Sequence, residues 1–334
     1  MTGATSKTKP ENIVAVGAGR MGRGIAIVFA YAGHPVTLLD YKERPAAEFA
    51  ALAVDARAEI VETLTLLSEI GLFEGGPSIE QIANRVRFVA KPDAAAVLAA
   101  ADIVFEGFPE VLELKQAALR DVSRQCPPTT IIASTTSTIL VDDLAPAVEI
   151  PQRFLNAHWL NPAFIVPLVE VSPGKETSAE TLQRLKELLE RIGKVPVVCA
   201  SSPGYIVPRI QGIAMNEAAR LVEEGVASAE DVEKAVKYGF GFRFSVLGLL
   251  EFIDWGGGDI LYHTSKYLTG ALNDRRYSAP SIIERNMEAG RIGLKTQQGF
   301  LNYEGMDVPA YRKERLAAFV ERLRHLGLTR TPVV

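Results

Sequence analysis

The chain has 334 residues, 48% of them hydrophobic, and a formal net charge of -4, enough apolar material for the cores of two domains. Its basic residues are scattered and form no polybasic run, which argues against a nucleic-acid partner, and no apolar run is long enough to span a bilayer, so no membrane partner is expected. Neither of the two cysteines, Cys126 and Cys199, has a CxxC neighbour, so a disulfide framework is not expected and the reduced cytoplasm is the natural compartment.

Residues 1–12, MTGATSKTKPEN, are small and polar without a signal-peptide centre and read as a disordered lead-in. A strand is expected over NIVAV (12–16), running straight into Gly17, Gly19 and Gly22 spaced G-x-G-x-x-G, and a helix over Met21–Tyr31. The next apolar run, VTLL (36–39), ends in Asp40, eighteen residues after Gly22. Two readings of this stretch stand side by side. It is a tight corner between a strand and a helix, or it is a dinucleotide site. In the second reading the glycines admit the pyrophosphate, the helix N-terminus favours its charge and Asp40 takes the adenosine ribose hydroxyls. Asp40 would repel a 2′-phosphate, which favours NAD over NADP, with Lys42 and Arg44 close enough to soften that preference. The cofactor residues named on this reading are Gly17, Gly19, Arg20, Met21, Gly22 and Asp40.

Further short apolar runs follow: VRFV (86–89), DIVF (102–105), TIIA (130–133), FLNAH, PLVEV and PVVCA up to Ala200. Runs of this kind, alternating with helical stretches, suit a parallel sheet covered by helices. Between the last two runs, Thr177 with Glu180 reads as a capping box, Leu182, Leu185, Leu188, Leu189 and Ile192 form one apolar stripe, and Gly193 supplies the stop. After Pro203 the strands cease, and a second helix start lies near Ser228–Asp231. The expected organisation is an α/β domain over 1–200 and an all-helical domain over 201–334, the latter rich enough in apolar residues (SVLGLLEFIDW, ILY) to expect a homodimer through it.

Of the four histidines, His34 lies in a turn and His263 and His325 lie in helical stretches. His158 ends the apolar run of FLNAHWLNPAF, and twelve residues on Glu170 stands within PLVEV. A carboxylate among apolar neighbours needs a partner. A His–Glu pair would satisfy both groups and leave the second ring nitrogen free as a general base; a purely structural pair, or an edge strand with Glu170 half exposed, fits the spacing equally well.

GAGRMGRGIA, EGFPEVLELK, STTS, HWLNP with PLVEV, SPGYIVPR and GLKTQQGF occur in that order across nearly the whole chain. Together they resemble the L-3-hydroxyacyl-CoA dehydrogenase family, which includes 3-hydroxybutyryl-CoA dehydrogenases of fatty acid metabolism. The resemblance implies a Rossmann-like, doubly wound N-terminal domain, a helical C-terminal domain that dimerises, and NAD-dependent oxidation of a 3-hydroxyl to a 3-oxo group or its reverse. It implies that His158 is the base and Glu170 its partner, that Ser137 bonds the substrate oxygen, that Asn161 is the asparagine of the HxxNP loop, and that Glu110 and Lys115 lie near the nicotinamide ribose. No metal is implied.

Three departures bear on the substrate. Pro208 stands where the family usually has a site asparagine; the segment 46–85 contains no lysine and only Arg57 and Arg85 as cations; and GFGFRF brings Arg243 into a stretch that usually reads differently in acyl-CoA enzymes. Relatives acting on free hydroxy acids, of the gulonate and carnitine type, tend to carry a basic residue there, so Arg243 is either a clamp for a substrate carboxylate or a structural ion pair. The expected small-molecule substrate is a short 3-hydroxyacyl-CoA, with a small free 3-hydroxy acid as the alternative and a catalytically silent NAD-binding protein as a second. The short 3-hydroxyacid dehydrogenases share the glycine turn, but their catalytic lysine motif is not evident here.

Overall fold

A computed structural model describes residues 9–73 and 76–329. Eight strands form one sheet in the order β3-β2-β1-β4-β5-β6-β7-β8. They are β1 Ile13–Val16, β2 Val36–Asp40, β3 Val86–Ala90, β4 Ile103–Glu106, β5 Ile131–Ser134, β6 Phe154–Trp159, β7 Leu168–Pro173 and β8 Val195–Val198. The first six positions of that order have the doubly wound Rossmann-like topology, with the order reversing between β1 and β4. β1, β2, β4, β5 and β6 are buried along their whole length, which is why they read as continuous apolar runs rather than alternating ones.

Helices α1 (Arg20–Tyr31), α2 (Ala46–Glu69), α3 (Ile79–Ala83), α4 (Ala94–Leu98), α5 (Leu112–Gln125), α6 (Val141–Leu144) and α7 (Ala179–Arg191) join the strands. They cover the sheet with two apolar clusters. One holds Phe29, Phe105, Trp159 and Leu188, and the other Leu39, Leu98, Leu119 and Phe154.

Three local expectations are corrected. The sheet is not wholly parallel: β6 and β7 pair antiparallel, with His158 opposite Glu170. The cap of α7 is Ser178, whose side chain accepts from the Thr181 backbone N–H at 3.1 Å, while Thr177 instead donates its hydroxyl to the Phe154 carbonyl at 2.6 Å. Residues 1–8 of the polar lead-in lie outside the described residues, but Glu11 and Asn12 are tied in. The Glu11 carboxylate accepts from Arg184 at 3.1 Å and Arg191 at 3.0 Å, and the Asn12 N–H donates to Asp102 at 2.8 Å.

The chain divides into two compact units between Ala214 and Met215, inside α8 (Val207–Glu223), so that the first turns of this helix go with the sheet. The second unit is helical. It contains α9 (Ala229–Ala235), a π-helical stretch over Val236–Gly241, α10 (Phe242–Phe244), α11 (Leu249–Gly256), α12 (Gly258–Ala271), α13 (Ser281–Glu288) and α14 (Val308–His325). Asp254 of α11 is 2% exposed. Its carboxylate accepts from the Phe300 and Leu301 backbone N–H groups at 2.9 and 2.8 Å and from the Tyr303 hydroxyl at 3.2 Å, fixing the turn that follows GLKTQQ. Among the described residues no helix is long and apolar enough to cross a membrane, and both cysteines are free.

Candidate active site

The glycine turn lies where the strand order reverses. Gly17 has φ 112°, a conformation open to glycine, and a Cβ there would stand 2.9 Å from the Gly107 carbonyl oxygen that follows β4. A Cβ on Gly22 would stand 2.1 Å from the Gly17 carbonyl, so α1 approaches β1 only because this position has no side chain. Gly19 differs, because a Cβ there meets nothing within 4 Å. Its open side adjoins the start of α1, which has no side-chain cap and no acidic residue in its first turn. Free backbone N–H groups facing open space are what a pyrophosphate requires, and these residues therefore fit a dinucleotide. Arg20 and Met21 open the helix, Arg20 exposed and Met21 half-buried. Asp40 ends β2 at 5% exposure. Its Oδ2 takes the Arg44 guanidinium at 2.6 Å, so a cation expected to soften the preference for NAD is bound to the carboxylate that opposes a 2′-phosphate.

On the neighbouring strands the His–Glu pair is formed. The His158 ring Nδ1 lies 2.8 Å from Glu170 Oε2. Glu170 is 0% exposed, and its other oxygen accepts from the backbone N–H groups of Ile206 and Val207 at 2.9 and 2.8 Å. The carboxylate is thus held by the start of α8 on one side and by the imidazole on the other. With a proton on Nδ1 donated to Glu170, the His158 Nε2 presents a lone pair, and among the described residues it has no hydrogen-bond partner. Pro208 falls at the second position of α8, where a missing N–H leaves no helical bond unmade.

The serine loop follows β5, which pairs with β6 through Ser134 opposite Asn156, so Ser137 leaves the sheet beside the strand that carries His158. One carboxylate oxygen of Glu110 gathers this loop. It accepts from the Thr136 hydroxyl, from the Ser137 and Thr138 N–H groups at 3.0 and 2.9 Å, and from the Thr138 hydroxyl at 2.9 Å. Burial would raise the Glu110 carboxyl, but the bonds from Thr136 and Thr138 and the charge of Lys115 outweigh it and hold the group below the usual carboxylate range. Ser137 itself is exposed. Lys115 is 1% exposed and meets Glu106 at 2.9 Å and Glu110 at 3.7 Å, so it acts on the site through these carboxylates.

Sequence reasoning passed over Glu106 and Tyr205. Glu106 ends β4 fully buried, accepting from Phe108 N–H at 2.6 Å and from the Ser134 hydroxyl at 2.5 Å besides Lys115. A charged residue closing the apolar run IVFE was the signal, the same one that drew attention to Glu170. Asn161 is exposed and lines a cavity of about 330 Å³ between α1, α2 and the 161–164 turn, with Arg20, Arg23, Glu59, Thr63 and Phe164. Three arginines of this region are already engaged: Arg23 with Glu59, Arg57 with the Ala83 carbonyl and Asn84, and Arg85 with the Ala30 carbonyl. In the second unit Arg243 is exposed, lies 5.5 Å over the Phe252 ring and has no acidic partner among the described residues. No group of three or more metal-ligating side chains occurs among the described residues.

Residues 12–202 match the family model described as 3-hydroxyacyl-CoA dehydrogenase, NAD binding domain, and residues 204–303 match 3-hydroxyacyl-CoA dehydrogenase, C-terminal domain. The chain is 31% identical over 311 residues to a 5-formyl-3-hydroxy-2-methylpyridine 4-carboxylate 5-dehydrogenase of Mesorhizobium japonicum, covering 93% of this chain and 96% of that one. It is 32% identical over 294 residues to a probable 3-hydroxybutyryl-CoA dehydrogenase of Bacillus subtilis, covering 88% and 98%. A crystal structure of a 3-hydroxyacyl-CoA dehydrogenase from Archaeoglobus fulgidus is similar with a TM-score of 0.75 at 31% identity, over 96% of this chain and all of the other.

Proposed function

The chain belongs to the 3-hydroxyacyl-CoA dehydrogenase family, an NAD-dependent oxidoreductase acting on CH–OH, and from that premise we propose that it oxidises the 3-hydroxyl of a short 3-hydroxyacyl-CoA, such as 3-hydroxybutyryl-CoA, to the 3-oxo compound, or runs the reverse. The observation that carries this reading is the His158–Glu170 pair at 2.8 Å, with the second Glu170 oxygen held by two backbone N–H groups. NAD, when bound, would supply the hydride acceptor for C3. The protein supplies the rest. His158 Nε2 takes the hydroxyl proton, Glu170 fixes the tautomer that allows it and stabilises the imidazolium that results, and Ser137 and Asn161 hold the substrate oxygens. Gly17, Gly19, Arg20, Met21, Gly22, Asp40 and Glu110 line the cofactor, with Lys115 behind Glu110. The helical segment after residue 200 is assigned to a homodimer, supported by the exposed Ile213, Met215, Ile260 and Tyr267 of α8 and α12. The two free cysteines favour the cytoplasm.

A second reading keeps the chemistry and changes the substrate to a small free hydroxy acid. It is favoured by Arg243, exposed and without an acidic partner among the described residues, by the engagement of Arg23, Arg57 and Arg85 in contacts of their own, and by the relative that acts on a pyridine carboxylate. One experiment separates the two. NAD reduction is assayed with 3-hydroxybutyryl-CoA, free 3-hydroxybutyrate, gulonate and carnitine, for the native chain and for Arg243→Ala. The ester as best substrate, with its KM unchanged in the variant, supports the first reading. A free acid whose KM rises about tenfold or more in the variant, as loss of a charged hydrogen bond predicts, replaces it with the second. Absence of NAD reduction with every substrate refutes both.

A further inference from the structure

Tyr205 touches three parts of the site at once. Its ring centroid lies 5.2 Å from that of the His158 imidazole, with the planes 14° apart. Its hydroxyl donates to the Thr136 carbonyl of the serine loop at 3.0 Å and accepts from Asn156 Nδ2 of β6 at 3.0 Å. The side chain is 5% exposed, and the backbone has φ 45°, a left-handed conformation that an aromatic residue seldom adopts and that marks a constrained position.

The local backbone explains how the ring arrives there. Gly204 (φ 71°) and Tyr205 are left-handed in succession and reverse the chain between β8 and α8. The two N–H groups that follow, of Ile206 and Val207, bind Glu170. One short turn therefore grips both members of the pair, with its backbone on the carboxylate and its aromatic ring on the imidazole. The bond to Glu170 fixes the position of Nδ1 but leaves the imidazole free to rock about that bond, which would swing Nε2. A ring lying nearly parallel and offset beside the imidazole limits this freedom, and the hydroxyl ties the same ring to the loop that carries Ser137.

We propose that Tyr205 is a positioning residue for the reaction: it sets the plane of the His158 imidazole and holds it in register with the Ser137 loop. The inference rests on the His158 base assigned above, and its test is chosen to fail separately from that assignment. The first arm needs no substrate. Proton NMR of the full-length protein resolves the ring protons of its four histidines, with His158 identified by their loss in His158→Ala. The His158 ring protons should lie upfield in the native protein and in Tyr205→Phe, which keeps the stacked ring, and lose that displacement in Tyr205→Leu. The second arm is kinetic. Tyr205→Leu should lower kcat about 10- to 100-fold, the range for a misplaced catalytic group. Its NADH affinity should stay within about twofold of native, and Tyr205→Phe, which keeps the ring but loses the hydroxyl tie to the loop, should recover part of the loss but not all of it. In the His158→Ala background the same Leu substitution should change the residual rate by less than about twofold, since residues acting as a unit are non-additive. Tyr205→Met removes the ring with a more adaptable side chain and serves if the Leu variant does not fold. Identical His158 resonances in the native and Leu proteins, or an undiminished kcat in the Leu or Met variant, overturn the proposal. Full turnover in His158→Ala refutes the base assignment, and with it the positioning role.

Discussion

Glu170→Gln replaces one oxygen of a carboxylate that is fully engaged. Glu170 has no solvent exposure and makes three hydrogen bonds, one to His158 and two to the backbone N–H groups that open α8. A carboxamide cannot serve both sides. If its oxygen stays on Ile206 and Val207, its NH2 faces His158 Nδ1, which must then accept; the ring proton moves to Nε2, and the base is lost. If it turns the other way, two backbone donors meet an NH2 and go unsatisfied. The first arrangement keeps three bonds, the one to His158 reversed in direction, and exchanges a charged acceptor for a neutral amide, a loss of about 1–3 kcal/mol of stability. The kinetic cost is that of a base held in the wrong tautomer, about 10²- to 10⁴-fold in kcat. NAD reduction over a range of pH reads the kinetic cost, NADH fluorescence the cofactor affinity, and a thermal melt the stability. The expected outcome is a large fall in kcat, a lowered melting midpoint and an NADH affinity within about twofold of native. A variant with native kcat and an unchanged pH–rate profile would show that the pair has no part in the reaction.

Three further outcomes are expected. NAD should be used in preference to NADP because Asp40 closes β2 and Arg44 is bound to it; a specificity constant for NADP equal to or above that for NAD would contradict this, and Asp40→Ala should narrow the difference. Glu110, held below the usual carboxylate range in the folded chain, contributes stability that is present above the unfolded value of 4.5 and is lost as pH falls through the folded value. Melting midpoints should therefore fall more steeply below about pH 4.5 in the native chain than in Glu110→Gln, and parallel curves would refute the assignment. Light scattering at micromolar concentration should give a dimer if the exposed apolar side chains of α8 and α12 form the proposed interface; a monomer would remove that interface.

How much of this was legible in the sequence depended on whether a residue's partner lay within one element or across the fold. β1, β2, β4 and β5 showed themselves because burial on both faces makes them continuous apolar runs. For the same reason, nothing in FLNAHW and PLVEV distinguished an antiparallel pair from a parallel one, since both are buried and neither alternates. The glycine turn and Asp40 were readable because their spacing reflects a local strand–turn–helix geometry. His158 and Glu170 were readable as a pair only because each interrupts an apolar run and burial demands a partner. The same logic applied to Glu106 would have found a buried carboxylate, but its partner Lys115 sits in a helix, where a lysine raises no question. Tyr205 lay within the SPGYIVPR stretch, but nothing local marked its role, which comes from a left-handed backbone and from ring and hydroxyl contacts to residues far away in the chain. At α7 the local signal was ambiguous, because Thr177 and Ser178 are adjacent and each is a competent cap; the hydroxyl of Thr177 was taken by the Phe154 carbonyl and Ser178 took the helix.

The central claim is that His158 removes a proton while the glycine turn holds the cofactor independently of it. His158→Ala tests both halves in one protein. NADH titration followed by fluorescence should give an affinity within about twofold of native, since His158 lies on β6 and the glycine turn on β1 and α1. Turnover with the best substrate should fall about 10²- to 10⁴-fold, the usual contribution of a positioned general base. Turnover close to native in a variant that binds NADH normally would contradict the account at its centre.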